Sequence, residues 1–474
     1  MMTPEQIKHA VEALIGPDKV RLDDEALDIY GRDWTKIHTP RPRAIAFPRS
    51  TEEVQQIVRF AREHKIALVP SGGRTGLSAG AVAANDELVL VMDYMNKVVD
   101  FNAIDRSVTV QAGMITEQLQ HFAEQQGLYY PVDFASAGSS QIGGNIATNA
   151  GGIKVIKYGM TRDWVLGLKV VTGTGEILDL NRGLIKNNTG YDLRHLFIGA
   201  EGTLGIITEA TLRLTRPPQN LTVMVLGAPS MPAVMQVLQA FQSRLDLTAF
   251  EFFSDNALEK VTQHHQLQRP FETATPYYAL VEFEAMTEEI MEMAMEVFES
   301  CMEAGWVEDG VISQSETQAQ TLWNLREFIS ETISHHTPYK NDLSVVVSKV
   351  PEFLNQVDGF VAEHYPGFEV VWFGHIGDGN LHLNILKPEA LSKEAFFEKC
   401  HHVSDQVFKI TQAFGGSVSA EHGVGLIKKD FLHFTRSQAE IKMMQGIKKT
   451  FDPDQIMNPG KMLDIPVSHQ DHEG

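Results

Sequence analysis

Two histidines seven residues apart, His375 and His382, are the first candidates for chemistry in this chain of 474 residues. They flank the run Phe373-Gly374-His375-Ile376-Gly377-Asp378-Gly379-Asn380-Leu381-His382-Leu383-Asn384. An Asp-Gly pair between apolar runs is a strong hairpin signal. With Asp378-Gly379 as the turn, Gly377 pairs with Asn380, Ile376 with Leu381, and His375 stands opposite His382. Cross-strand Cβ atoms then lie roughly 5 Å apart, close enough for two imidazoles to share a divalent ion. Asn384 projects from the same face two residues on. The alternative is a stacked, hydrogen-bonded histidine pair. A third ligand has a candidate in Ser419-Ala420-Glu421-His422-Gly423-Val424-Gly425. Two histidines and one carboxylate leave coordination positions open, as a catalytic ion requires. The alternative there is a loop acid beside an ordinary histidine. The pairs His264-His265, His335-His336 and His401-His402 read as solvated surface, because neighbours on a helix point in different directions.

A second group could bind an anion. Leu325 to Thr332 reads as helical, which puts Arg326 and Ser330 on one face. Lys340 follows in Pro338-Tyr339-Lys340-Asn341-Asp342, before a strand-like stretch from Leu343 to Val347. An arginine and a lysine so placed could clamp a carboxylate; an ordinary surface helix is the alternative. Three glycine-rich regions form a third group. They are Pro70-Ser71-Gly72-Gly73-Arg74-Thr75-Gly76, residues 138–152, and Gly199-Ala200-Glu201-Gly202-Thr203-Leu204-Gly205-Ile206-Ile207-Thr208. Glycine lets backbone N–H groups approach a phosphate closely. None matches G-x-G-x-x-G or a P-loop, so nicotinamide and simple ATP readings are weak. Each region alone could be only a set of tight turns.

Short strands and helices must position these groups. Residues 1–37 read as a polar helical extension. Ser50 to Glu53 is a capping-box pattern, opening a helix that turns Val54, Ile57, Val58 and Ala61 to one side. Strands are expected at Ile66–Val69, Leu88–Met92 and Val108–Ala112. Arg216-Pro217-Pro218 marks a domain boundary. A helix over 392–414 has Phe396, Cys400, Val403, Val407, Ile410 and Phe414 on its apolar side, and Gly415-Gly416 ends it. The polar tail from Pro466 to Gly474 is expected to fray.

Composition narrows the classes. The length calls for two or three domains. A formal charge of −21, from 40 basic and 61 acidic residues, argues against a nucleic-acid partner. An acidic protein that binds an anion must also place its cations specifically. Two cysteines build neither a disulfide framework nor a cysteine metal site, which suits a reducing, cytoplasmic location. The N-terminus has no signal-peptide pattern, and no run of eighteen apolar residues would span a membrane.

The ordered glycine regions, from about Pro40 to Pro217, resemble the FAD-binding domain of the vanillyl-alcohol oxidase / p-cresol methylhydroxylase (PCMH) superfamily. The resemblance implies an α+β protein. Its parts would be a two-subdomain PCMH-type FAD-binding domain over 38–217, a substrate and metal domain over 218–425, and a helical segment over 426–474 that returns to the FAD domain. It also implies that Gly72, Gly73, Arg74 and Thr75 hold the pyrophosphate, with Pro70 and Ser71 also in the cofactor site. Pro131, Ser139, Gly144, Asn145 and Thr148 would line the flavin, and Glu201, Gly205, Ile207 and Asn458 would complete the cofactor site. The first loop lacks the histidine that bonds FAD covalently in some members, so non-covalent FAD is expected.

Residues 219–464 look like the C-terminal domain of flavin-linked D-2-hydroxy-acid dehydrogenases, through Phe373–Asn384, Ala420–Gly425 and Asn458-Pro459-Gly460-Lys461. That resemblance puts a divalent metal, zinc or manganese, on His375, His382 and Glu421, and makes His422 the catalytic base beside the substrate. Arg326, Ser330, Lys340 and Asn384 would bind the substrate. This pattern is similar to that of D-2-hydroxyglutarate dehydrogenases, since a diacid needs more cationic anchors than lactate. D-malate could use the same clamp, and D-lactate or glycolate is the rival substrate. The resemblance further implies an electron-transfer flavoprotein or quinone-linked acceptor and a homodimer.

Overall fold

The computed structural model describes residues 2–35 and 37–465 and divides into two compact units. The tail 466–474 lies outside the described residues. Among the described residues the first unit draws on 2–150, 160–216 and 421–465, the second on 151–159 and 217–420. Helices make up 39% and strands 21% of the chain, in keeping with the expected α+β class. Among the described residues, no helix is long and apolar enough to cross a membrane.

The first unit holds two sheets. In one, Ala44–Ala46, Leu88–Val91 and Leu68–Ser71 run parallel, with Val20–Arg21 antiparallel at the edge. The strand Leu88–Val91 is wholly apolar and buried, as a central parallel strand must be. The helix Thr51–His64 begins where the sequence places it, with the Ser50 hydroxyl accepting from Glu53 N at 3.2 Å. The other sheet is antiparallel, in the order Val98–Asn102, Ser107–Gln111, Gly205–Arg213, Val165–Thr172, Ile177–Leu180.

Residues 2–35, expected as an extension, pack within the first unit. The helix Pro4–Ile15 buries Ile7, Val11 and Ile15 and packs on Thr51–His64, while Val20–Arg21 joins the sheet. The polar look of this stretch comes from the outer side of an amphipathic helix.

The last segment completes this unit. Leu68 N donates to Ile456 O at 2.7 Å, and Asn458 N donates to Leu68 O at 2.8 Å. The buried Lys448 ammonium donates to Thr203 O at 2.6 Å and Met457 O at 2.7 Å, and it pairs with Asp452. A buried ammonium is tolerable only when its protons are met in this way.

The second unit is built on one seven-stranded antiparallel sheet. Its order is Asp309–Ile312, Leu221–Ala228, Tyr277–Glu284, Leu247–Ser254, Glu369–Gly374, Asn380–Leu386, Pro338–Ser344. Asp255–His265, Glu316–Glu327 and Ile329–Ser334 pack together, and Leu322, Trp323, Leu325, Ile329 and Ile333 share a core with Phe253, Val371 and Phe373. The helix Lys393–Ala413 agrees with the sequence pattern within a residue at each end. Cys301 and Cys400 are free and buried, and burial pushes their thiols up to about 11 and about 12.

Candidate active site

One face of the seven-stranded sheet gathers the second unit's candidate residues. Lys340 lies opposite Asn384, Asp342 opposite His382, and His382 opposite Phe373. Paired residues share a face, and the same face recurs every second residue. So Lys340, Asp342, His382, Asn384 and Phe373 point to the same side, toward the helices that carry Arg326 and Ser330.

The hairpin differs from its expected form. The register pairs Phe373, not His375, with His382, and the connection is 375–379 rather than two residues. A two-residue Asp-Gly turn needs positive φ at both positions. Here only Gly379 has it, at +83°, while Asp378 Oδ1 accepts from Asn380 N at 3.0 Å. His375 O closes the loop by accepting from Asp378 N and Asn380 N. The imidazoles still meet, with ring centroids 5.3 Å apart and planes at 85°. An edge-to-face pair is not a parallel stack.

Gly379 is required where it stands, because a Cβ there would lie 2.1 Å from Val345 O. Gly379→Ala is therefore expected to cost about 2–4 kcal/mol, combining left-handed strain with a backbone clash. A fall of several degrees in the thermal midpoint would report it. An unchanged midpoint would mean that the loop relaxes at no cost.

The sequence reading overlooked Glu251. It lies on Leu247–Ser254 where the Phe253–Phe373 register, continued by two residues, meets His375. His375 Nδ1 is 2.8 Å from Glu251 Oε1, and Arg326 Nη2 is 2.7 Å from Glu251 Oε2. Glu251 is 1% exposed and Arg326 6%. Burial alone would push the Glu251 carboxyl up, but His375 and Arg326 outweigh it and hold the group below the usual carboxylate range. The Arg326 guanidinium also stacks 4.7 Å over the Phe373 ring. Arg326 is therefore anchored, though its buried Nε has no hydrogen-bond partner. A signal did exist: an acid inside the apolar run Leu247-Thr248-Ala249-Phe250-Glu251-Phe252-Phe253 demands a buried partner. Glu282 carries the same signal, accepting from Trp323 Nε1 at 2.8 Å and Thr248 Oγ1 at 2.5 Å and pairing with Lys154.

The helix expected over 325–332 is two helices, Glu316–Glu327 and Ile329–Ser334, joined at Phe328. Phe328 keeps right-handed helical angles. Lys340 lies within Pro338–Ser344, a strand that starts five residues before the expected one. Its Nζ donates to Ser330 Oγ at 3.2 Å. Crowding by nearby atoms lowers the Lys340 ammonium below the usual lysine value, but the side chain is exposed on its strand, so solvent limits the shift. Asn384 Nδ2 donates to His382 O at 3.1 Å.

In the first unit the three glycine regions converge. A Cβ on Gly73 would meet Ser139 O at 2.2 Å, and one on Gly202 would meet Pro70 Cγ at 2.5 Å. Glu201 N donates to Ala147 O at 2.8 Å. The second region is not all loop, since Ile142–Thr148 is a helix. Gly143 admits it, because any larger residue would strike Ala112. Arg74 has φ +59° and donates to Gly72 O at 2.7 Å. Asn145 Nδ2 donates to Thr116 Oγ1, and Thr148 Oγ1 donates to Gly144 O. Pro131 is buried and Ser139 exposed, and Gly205 and Ile207 lie on Gly205–Arg213.

Ser71 Oγ, Tyr130 Oη, Gln141 Oε1 and Asn458 Oδ1 are buried around these regions without a hydrogen-bond partner. Orphaned polar atoms beside glycine loops suit a polar dinucleotide such as FAD.

Glu421 is the first residue of the returning segment, directly after Ala420. Glu421 Oε1 is 3.4 Å from His422 Nε2. Glu201 holds the following turn, accepting from Val424 N and Gly425 N at 2.7 Å each. Gly423 and Gly425 take positive φ, and a Cβ on Gly425 would lie 1.9 Å from Ser78 O. That explains the glycines flanking Glu421-His422. Asn458 Nδ2 donates to Gly80 O at 2.9 Å and Glu201 O at 2.7 Å.

Residues 42–181 match the FAD binding domain family, and residues 217–462 match the C-terminal domain of FAD linked oxidases. The chain belongs to the FAD-linked oxidases, a class of flavoprotein oxidoreductases. It is 63% identical to a D-2-hydroxyglutarate dehydrogenase of Stutzerimonas stutzeri (strain A1501), over 98% of this chain and 100% of that one. It is 56% identical to one from Xanthomonas citri pv. viticola, over 97% and 96%. A mitochondrial D-2-hydroxyglutarate dehydrogenase of Danio rerio is 36% identical, over 94% and 83%. Among solved structures, p-cresol methylhydroxylase aligns with a TM-score of 0.73 at 16% identity, over 97% of each chain. Alkyldihydroxyacetonephosphate synthase aligns at 0.72 with 20% identity, over 97% of this chain and 85% of that one. At such identities these two establish the PCMH-type fold alone.

Proposed function

We propose that the protein oxidises D-2-hydroxyglutarate to 2-oxoglutarate, working in the cytoplasm with non-covalent FAD and a divalent metal, and passing electrons to an external carrier such as an electron-transfer flavoprotein. The observation that carries the substrate is the polar face bearing Arg326, Ser330, Lys340 and Asn384 beside His375 and His382. The names of the similar relatives agree with it. Lys340 and Ser330 are adjacent and offer the distal carboxylate an ammonium and a hydroxyl. A charged donor and a neutral one on a carboxylate fix its orientation as well as its affinity.

His375, His382 and Glu421 are the proposed ligands of a zinc or manganese ion. Such an ion supplies Lewis acidity at the substrate's hydroxyl and carboxylate. His375 fits the role, because a carboxylate on its Nδ1, that of Glu251 at 2.8 Å, is the usual outer partner of a metal-binding imidazole. Bound FAD supplies the hydride acceptor, flavin N5. His422 takes the hydroxyl proton, as an imidazole can near neutral pH.

Anaerobic titration of the yellow holoenzyme with D-2-hydroxyglutarate tests the proposal. Bleaching of the flavin band at low substrate is expected. A response to D-lactate alone would keep the chemistry and discard the diacid clamp. A flavin that no hydroxy acid bleaches would remove the dehydrogenase reading.

A further inference from the structure

We propose that Glu251 is a positioning residue shared by the two halves of the substrate site, its one buried carboxylate fixing both the His375 imidazole and the Arg326 guanidinium. The inference rests on the metal and substrate roles proposed for those two residues. Glu251 lies in the interior of the sheet, and its two oxygens face different partners: Oε1 is in hydrogen-bond contact with His375 Nδ1 at 2.8 Å, and Oε2 forms an ion pair with Arg326 Nη2 at 2.7 Å without hydrogen-bond alignment. With Nδ1 of His375 turned to a carboxylate, the ring is held in one orientation and one tautomer, with Nε2 as the basic nitrogen. Arg326 has one edge on Glu251 and one plane on Phe373, so little rotamer freedom is left to lose when an anion arrives. Its buried, unpartnered Nε is a donor still to be met.

The structural alternative is a buried ion pair that only fills space. It differs in what it leaves unchanged. A space-filling Glu251 would alter stability but neither metal affinity nor the Michaelis constant. A positioning Glu251 alters both together, because one carboxylate orients both groups. Glu251 itself touches neither the substrate nor the ion in this account.

The test uses FAD-loaded wild type and Glu251→Gln, which keeps the shape and one acceptor while removing the charge. Glu251→Asp serves as a second variant that keeps the charge and shortens the reach. Metal affinity is read by chelator competition without turnover, and kcat and KM are read separately on metal-saturated enzyme. The expected result for Glu251→Gln is metal affinity weaker by about 10- to 100-fold, the usual scale for losing an outer partner of a metal-bound histidine. A KM for D-2-hydroxyglutarate raised at least severalfold is expected with it, and Glu251→Asp should recover part of one effect or both. A folded Glu251→Gln enzyme with wild-type metal affinity and wild-type KM would overturn the proposal. Wild type that binds no metal, or turns over fully without it, would overturn the metal reading itself. The KM of Glu251→Gln would then decide the Arg326 half alone, and an unchanged value would end it.

Discussion

Replacing His382 with alanine is expected to lower kcat/KM for D-2-hydroxyglutarate by about a thousandfold or more while the purified protein stays yellow. The two halves of this prediction have separate causes. His382 lies in the second unit, on a strand whose neighbours are Asp342 and Phe373. The glycine regions that suit FAD lie in the first unit. Loss of one imidazole from the His375–His382 pair leaves one histidine, too few to hold a labile divalent ion with an open position. A Lewis acid on a developing alkoxide is worth several kcal/mol, and each 1.36 kcal/mol is tenfold in rate. Glu421→Ala should behave alike if it supplies the third ligand. The check is turnover with a dye acceptor beside flavin absorbance and metal content. Full activity in metal-depleted protein would end the metal role, and loss of flavin from His382→Ala would show that the two sites are not independent.

Lys340→Ala is expected to be selective rather than general. The side chain stands on the edge strand beside Ser330 and opposite Asn384. It therefore suits the distal carboxylate, which lactate lacks. A charge-assisted hydrogen bond is worth about 1.5–3 kcal/mol, so kcat/KM for D-2-hydroxyglutarate should fall roughly 10- to 150-fold. D-lactate turnover should change by less than about twofold on the same scale of reasoning. Equal losses on both would remove Lys340 from the clamp.

The pH dependence follows with a definite sign. Desolvation lowers the Lys340 pKa from its ordinary value. The ammonium is the binding form, so diacid affinity is intact at low pH and is lost as pH rises through that lowered value. Lys340 is nonetheless exposed on its strand, so solvent limits the shift, and KM for D-2-hydroxyglutarate in wild type should climb only slightly ahead of an ordinary lysine's titration. In Lys340→Ala this climb should vanish.

The sequence made the glycine loops and the local helix signals legible, but not what braces them. Gly73 and Gly202 could be picked out because three glycine-rich runs in this order are more specific than any one alone, and both sit where a Cβ would collide. The capping residue Ser50 and the helix over 393–413 were readable because their signals are local. The hairpin register was not. Whether Asp378 takes positive φ depends on Val345 and Phe250 packing against the loop, and no short window contains them. Glu251 was hidden for a related reason. Its partners are 124 and 75 positions away, and only the strand order brings His375 and Arg326 to it.

The discontinuity of the first unit sets an order of events during synthesis. Its parallel sheet needs Ile456–Asn458 beside Leu68, and its buried Thr203 carbonyl needs Lys448. Those residues are made after the whole of the second unit. All of the second unit, by contrast, has been translated by Ala420. Domains fold as units while the ribosome is still working. The second unit can therefore mature first on the nascent chain, whereas the first must wait for the later residues 448–458 before its glycine loops are fully braced. Premature stops after Ala420 would then give chains with an intact seven-stranded sheet and an incomplete flavin-binding unit, open to proteolysis and to aggregation through its unpaired strand edge.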